Sequence, residues 1–121
     1  MKITLITACY NSAGTIRTAM ESVLSQNGVD VEYIVVDGGS TDGTVGIVEE
    51  FSRRERKDRK EVFAFKWISE KDRGMYDAIN KGIAMATGDV VGILNADDVL
   101  SGDDTLARVA GVFGERGMGN G

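Results

Sequence analysis

The sequence predicts an α/β fold, built on an open and mostly parallel sheet with helices on its faces. Strand-like and helix-like segments alternate along the chain, the strand-like segments are short apolar runs, and proline is absent. Buried parallel strands have this apolar character, and right-handed helical crossovers connect them. A length of 121 residues suits one domain with its own core.

The first strand and the first helix are predicted from a change in hydrophobic period. Residues 2–9 form an apolar run that is typical of an inner strand. The helix that follows is expected to open at Asn11 or Ser12, because these side chains favour helix N-termini. One face of this helix carries apolar residues at three-and-four spacing: Ile16, Ala19, Met20, Val23 and Leu24.

The second strand is predicted over residues 31–36 and ends at Asp37. A glycine-rich turn follows, since glycine tolerates positive φ angles, and a second helix begins near Thr44. That helix leads into a run of mixed charge over residues 53–61. Such a run indicates a solvated helix end and loop.

A third strand is predicted over residues 62–69, because aliphatic and aromatic residues alternate there. The helix predicted over residues 75–86 has one apolar face, formed by Ala78, Ile79, Gly82, Ile83 and Ala86. Gly88 is expected to cap the C-terminal end of this helix.

The last two elements are a strand over residues 89–94 and a helix from about Asp103 to Arg116. Beyond that helix the sequence has no periodicity. We therefore expect one domain over residues 1–116 and a disordered tail over residues 117–121.

The composition excludes several classes of function. A formal net charge of -5 argues against a nucleic-acid-binding surface, which needs clustered cations. Histidine is absent, which excludes histidine-based catalysis, and a single cysteine excludes an internal disulfide. The single cysteine and the absence of zinc-site spacing favour a reducing, cytoplasmic setting. No segment approaches the length of a membrane span. After these exclusions, the functional groups that remain are carboxylates and metal ions bound by oxygen ligands.

The acidic loop, defined as residues 95–98, is the strongest functional signal in the chain. Its Asp97 and Asp98 follow directly after an apolar strand. Adjacent carboxylates favour a divalent cation such as Mg²⁺ or Mn²⁺, while electrostatics at the start of the next helix is the competing explanation. Asp37 and Asp72 also follow strands, and the carboxyl ends of parallel strands share one edge. This convergence favours a binding site.

Two familiar phosphate-binding motifs do not account for the site. Gly38 and Gly43 have the glycine spacing of a P-loop, but Thr44 stands where that motif needs lysine. The turn after the first strand holds Tyr10 and Asn11 instead of the glycines of a dinucleotide-binding unit.

Four segments together resemble the family 2 glycosyltransferases with the GT-A fold. In order and spacing they are similar to the nucleotide-sugar-binding half of that family, and the resemblance covers roughly residues 2–113. The segments lie at residues 6–11, 35–44, 70–82 and 94–98. The resemblance implies a GT-A domain, Rossmann-like in its sheet and truncated after its first half.

The activity implied by this resemblance is inverting transfer of a sugar from a nucleotide-diphosphate donor to an acceptor hydroxyl. A UDP-sugar is the expected donor, a glycan or lipid-linked molecule the expected acceptor, and polysaccharide or cell-envelope glycan synthesis the expected setting. Peripheral attachment to the inner membrane face and a homodimer are both left open.

The resemblance also assigns roles to individual residues. Asp37 would bind the base, Arg73 would meet the diphosphate, and Asp97 and Asp98 would hold Mn²⁺ or Mg²⁺, with Asp97 preferred. The full set expected to contact the nucleotide is Thr7, Ala8, Tyr10, Asn11, Asp37, Asp72, Arg73, Asn95, Ala96 and Asp97.

The catalytic base is not assigned to any residue of this sequence. The resemblance places the base, together with the acceptor-binding elements, in a segment that follows the acidic loop and that this sequence does not supply. A nucleotide-binding module without turnover is therefore the alternative. A receiver-like or phosphatase domain is disfavoured, because the acid pair expected after its first strand is absent.

Overall fold

The predicted alternation of strands and helices is confirmed. The computed structural model describes residues 1–54 and 61–119, with side chains up to residue 114. The elements are β1 (Lys2–Cys9), α1 (Ile16–Leu24), β2 (Asp30–Asp37), α2 (Thr44–Ser52), β3 (Phe63–Ser69), α3 (Met75–Met85), β4 (Val90–Ile93) and α4 (Thr105–Gly119). Among the described residues no helix is long and apolar enough to cross a membrane.

The four strands form one parallel sheet in the order β3-β2-β1-β4. The register places Cys9, Asp37 and Ser69 side by side at the carboxyl ends of β1, β2 and β3. All the loops that leave these strands therefore meet at one edge of the sheet. This edge is the position at which open α/β sheets bind ligands.

Helices cover both faces of the sheet. On one face, Tyr33 of β2 is buried with Phe51 of α2, and their ring centroids lie 6.4 Å apart in an edge-on arrangement. Helices α1 and α4 contribute to the same core through Met20 and Leu106. The opposite face has a smaller core, formed by Ile6, Ile34, Val36 and Ala78 of α3.

Helix α3 approaches β1 closely at Gly82. A Cβ atom at this position would lie 2.6 Å from Cγ2 of Ile6, which is too close for two carbon atoms. We therefore predict that Gly82→Ala lowers the free energy of unfolding by about 1–3 kcal/mol, in spite of alanine's higher helix propensity.

The matched control for this substitution is Gly46→Ala in α2, where nothing lies within 4 Å of an added Cβ. It should raise the free energy of unfolding by roughly 0.5–1 kcal/mol. Urea unfolding of both variants checks the pair. A stabilised Gly82→Ala variant would contradict the close approach.

An ionic cluster around the buried Glu32 joins β1, β2 and β3 to the segment after α3. The carboxylate of Glu32, only 2% exposed, accepts hydrogen bonds from Thr4 Oγ1 (2.7 Å), Lys66 Nζ (2.7 Å) and Thr87 N (2.8 Å). Burial alone would raise the pKa of Glu32, but the hydrogen bonds from Lys66 and Thr87 lower that pKa to about 2. Glu32 is therefore ionised inside the protein.

The predicted start of α1 is wrong. The helix begins at Ile16, after a turn in which Ser12 O accepts from the backbone N of Ile16 (2.9 Å). Asn11 has a φ angle of 47° and its side chain bonds Thr41, while Ser12 N donates to Thr44 Oγ1 (2.8 Å). Asn11 and Ser12 therefore bond the segment after β2 and do not cap the helix, although their local preference predicted that they would.

The predicted end of α3 is also wrong in detail. Ala86 is already extended, and Gly88 lies beyond the helix, donating its N–H to Thr4 Oγ1 (2.9 Å). Ile83 is 49% exposed and not part of the buried face. Gly88 therefore secures the start of β4 against β1 and does not cap the helix.

Helix α4 extends to Gly119, three residues past its predicted end at Arg116. The rest of the predicted tail, residues 120–121, lies outside the described residues, as does most of the charged run, residues 55–60. The domain limits stay a prediction.

Candidate functional site

A cleft of about 780 Å³ opens at the carboxyl edge of the sheet. This volume lies within the range of small-molecule binding sites. Segments that follow all four strands line the cleft: Ala8, Cys9, Tyr10, Ser12, Thr15, Gly38, Gly39, Lys71, Asp72, Gly74, Met75, Ala78, Asn95, Ala96 and Asp97. The convergence expected from the sequence is therefore present.

Asp37 lies beneath the cleft and does not line it. It is 0% exposed, and its carboxylate accepts from Gly39 N (3.1 Å), Ser40 N (2.9 Å) and Ser69 Oγ (2.8 Å). Burial alone would raise its pKa, but the hydrogen bonds from Ser40 and Ser69 leave the pKa of Asp37 below its usual value. The structure thus makes Asp37 the organiser of the turn after β2, with its oxygens bonded to the protein's own donors.

Cys9 contacts this buried carboxylate from β1. Its Sγ donates to Asp37 Oδ1 at 3.5 Å. Burial, followed by the negative charge of Asp37, raises the pKa of the thiol. Cys9 is therefore protonated, as a small buried side chain in the wall of the cleft.

Asp72 is the carboxylate that the loop after β3 presents to the cleft. A Cβ atom at Gly38 would lie only 2.7 Å from Asp72 Oδ2, so the glycine makes room for this side chain. The other oxygen, Oδ1, accepts from the backbone N of Gly74 (3.0 Å). Gly74 has a φ of 118°, a conformation suited to glycine, and α3 starts directly after it.

Tyr10 forms an aromatic wall of the cleft and is 62% exposed. Its neighbour Asn11 faces the loop after β2, where Asn11 Oδ1 accepts from Thr41 N (2.9 Å) and Asn11 N donates to Ser40 Oγ (2.7 Å). Thr7 is buried within β1, and its hydroxyl is hydrogen bonded to the hydroxyl of Tyr33 (2.8 Å). Asn11 and Thr7 therefore support the cleft from outside its lining.

Three residues of the acidic loop line the cleft. Asn95 and Asp97 are exposed there, while Ala96 is largely buried and also packs in the core beneath the loop. Asp98 is not among the lining residues, and its Oδ2 accepts from Asn95 Nδ2 (3.2 Å). Of the two predicted metal ligands, the structure brings only Asp97 to the cleft.

These residues fit a divalent cation that also binds a ligand. Among the described residues no group of three or more histidine, cysteine, aspartate or glutamate side chains could hold a metal. Asp97 and Asn95 supply hard oxygen donors at the cleft. Mg²⁺ and Mn²⁺ are commonly held in this way, by one or two carboxylates with the remaining ligands from phosphates and water.

The loop after β3 supplies a cation to the lining of the cleft, and the diphosphate-binding role of Arg73 stays a prediction. Lys71 lines the cleft, whereas the neighbouring Arg73 is exposed and is not among the lining residues. Sequence reasoning missed Lys71, as it missed Met75 and Thr15. The available signal was the position of Lys71 directly beside Asp72 in the loop after β3.

Comparison with known proteins agrees with this arrangement. The family model described as glycosyl transferase family 2 matches residues 4–118. A PGL/p-HBAD biosynthesis glycosyltransferase of Mycobacterium bovis is 38% identical over 111 residues, which are 92% of this chain and 41% of the relative. The chain thus spans about two fifths of that relative's length.

Two solved structures share the fold. Residues 1–349 of TarS of S. aureus, in complex with UDP-GlcNAc, are 27% identical with a TM-score of 0.77, and the match covers 95% of this chain and 32% of that fragment. The mannosyltransferase PcManGT of Pyrobaculum calidifontis, in complex with GDP-Man and Mn²⁺, is 32% identical with a TM-score of 0.78, covering 89% of this chain and 31% of PcManGT. The predicted GT-A type of α/β fold is confirmed, and the chain belongs to glycosyl transferase family 2.

Proposed function

We propose that this chain forms the donor-binding part of an inverting glycosyltransferase that takes its sugar from a nucleotide-diphosphate sugar, with UDP as the preferred nucleotide. The observation that carries the proposal is the single cleft in which Tyr10, Asp72 and Asp97 meet. The two solved relatives, bound to UDP-GlcNAc and to GDP-Man with Mn²⁺, support this donor class.

Tyr10 and Asp72 would hold the nucleoside. An exposed aromatic ring offers a face on which any base can stack, and stacking of this kind contributes about 1–3 kcal/mol per base. Asp72 Oδ2 can accept a hydrogen bond from an N–H group of the base or from a ribose hydroxyl. Asp37 would act on the same end of the donor indirectly, by fixing the turn that contains Gly38 and Gly39.

Asp97 and Asn95 would hold the Mg²⁺ or Mn²⁺ ion at the diphosphate end. When bound, such an ion offsets the negative charge that develops on the departing nucleoside diphosphate. Lys71 would contribute a second positive charge at the cleft, and Arg73 a third from its exposed position beside it. Asn95 also orients the loop through its hydrogen bond to Asp98.

A nucleotide-binding module without turnover is the second candidate. Asp72 and Asp97 are the carboxylates among the described lining residues, and both are assigned to the donor. Deprotonation of an acceptor hydroxyl needs a further base, which in a cleft without histidine is usually a carboxylate. Acceptor-dependent release of nucleoside diphosphate over many turnovers would exclude the second candidate.

Calorimetric titration with UDP, GDP and dTDP, each with and without Mn²⁺, tests the proposal. We expect UDP to bind most tightly and Mn²⁺ to raise its affinity, because the acidic loop and the diphosphate share the ion. Tyr10→Ala should weaken UDP binding by roughly 5- to 100-fold, both with and without Mn²⁺. Equal, weak and metal-independent binding of all three nucleotides would overturn the site.

A further inference from the structure

The side chain of Gln26 is buried at the end of α1 and bonds the segment that follows the acidic loop. It is 0% exposed, and its Nε2 donates to the carbonyl oxygen of Gly102 (2.6 Å) and to that of Ser22 (3.1 Å). Its Oε1 accepts from the backbone N of Leu106 (3.0 Å), in the first turn of α4. One amide thus joins α1 to both ends of the turn that enters α4.

Two neighbours of Gln26 hold the same segment. Ser22 Oγ accepts from the backbone N of Leu100 (3.1 Å), and Asn27 N donates to the carbonyl oxygen of Asp103 (2.7 Å). The backbone of residues 100–106 is therefore secured by side chains and backbone from the C-terminal end of α1.

The acidic loop lies between this anchor and a second one on β1. Upstream of the loop, the backbone N of Leu94 donates to the carbonyl oxygen of Ile6 (2.9 Å). Between the anchors, burial of Ala96 leaves Asp97 at the cleft. The segment that carries Asp97 is thus held at both ends by contacts distant in sequence, and one of these is made by Gln26.

We propose that Gln26 is a positioning residue for Asp97, acting through the backbone of residues 100–106. Removal of its amide leaves Leu106 N and Gly102 O without their buried partner, which favours a shift of the loop. Such a shift moves the Asp97 carboxylate, and the affinity of a site for a metal depends on how its ligands are held. The consequence for the metal rests on the proposed function, whereas the consequence for the loop does not.

Gln26→Met tests the consequence for the metal, because methionine has similar length and no amide. We expect the increase in UDP affinity caused by Mn²⁺ to fall by about 3- to 10-fold, less than for the loss of a direct partner of a metal ligand. UDP affinity without Mn²⁺ should stay close to its wild-type value. The control is Val48→Ala, which creates a cavity in the hydrophobic core under α2. At temperatures where this variant is folded, both affinities should be unchanged. An unchanged Mn²⁺ effect in Gln26→Met would overturn the proposal.

Hydrogen exchange tests the consequence for the loop without any ligand. Gln26→Met should speed exchange of backbone amides in residues 95–106 and leave those of β1 and β2 protected. Ser22→Ala removes the bond to Leu100 and a second one, within α1, from Ser22 Oγ to the carbonyl oxygen of Ala19. It leaves the contacts of Gln26 in place, should give a smaller change in the same direction, and serves if Gln26→Met does not fold. Unchanged exchange in residues 95–106 would overturn the proposal.

A wild-type chain that fails to bind UDP or GDP would instead overturn the proposed function. Hydrogen exchange alone would then decide the role of Gln26.

Discussion

Asp97→Ala is expected to abolish the part of UDP binding that depends on Mn²⁺. Asp97 is the acid of the loop that lines the cleft, so its removal leaves a bound ion without its carboxylate ligand. Titration of the variant with UDP should give the same affinity with and without Mn²⁺. Binding through Tyr10 and Asp72 should persist, since these residues belong to other loops of the same cleft.

Two substitutions separate this role from a general effect of negative charge. Asp98→Ala should reduce the Mn²⁺ effect less than Asp97→Ala, because Asp98 lies outside the lining and bonds Asn95. Asp104→Asn removes an exposed charge that pairs with Arg108 on α4, and it should leave the Mn²⁺ effect at its wild-type value. A larger loss in Asp98→Ala than in Asp97→Ala would reverse the assignment of the two acids.

Glu32→Ala is expected to lower the free energy of unfolding by about 1–3 kcal/mol at pH 7, because buried hydrogen bonds are lost while the partner Lys66 is 41% exposed and can be solvated. The substitution removes the acceptor for Thr4, Lys66 and Thr87 and leaves the buried hydroxyl of Thr4 without this acceptor. Glu32→Gln keeps the shape and should cost roughly half as much. Urea unfolding measures both, and a loss below about 1 kcal/mol in Glu32→Ala would show that the cluster contributes little.

The same carboxylate predicts the direction of an acid effect on stability. The pKa of Glu32 in the folded chain is about 2, below its ordinary value of 4.5. Its contribution is therefore complete above about pH 4.5 and is lost progressively as the pH falls toward 2. Glu32→Gln should weaken the dependence of the unfolding free energy on pH in this interval, and an unaltered dependence would contradict the shifted pKa.

The strands were predictable because a buried strand is a short apolar run, which can be recognised from local sequence alone. The apolar run that ends at Asp37 identifies β2 to within one residue at each end, and the run before the acidic loop identifies β4. The start of α1 could not be predicted in the same way. There the polar groups of Asn11 and Ser12 bond a loop about 30 residues later, and no local rule contains that contact.

The sequence was sufficient to predict which loops form the site, but not which of their side chains face the cleft. The sequence indicates that Asp37, Asp72 and Asp97 share an edge, and the structure places them there. Which acids face the cleft depends on partners distant in sequence: Ser69 engages Asp37, and the space at Gly38 accommodates Asp72. The donor sugar, the acceptor and the individual roles of these residues stay predictions.

The raised pKa of Cys9 has a practical consequence for labelling the protein. Alkylating reagents react with the thiolate, and a thiol that stays protonated at neutral pH reacts slowly. Cys9 is also the only cysteine in the sequence. A cysteine introduced at the exposed Ser52 of α2 should therefore accept a maleimide fluorophore selectively, without prior removal of the native thiol.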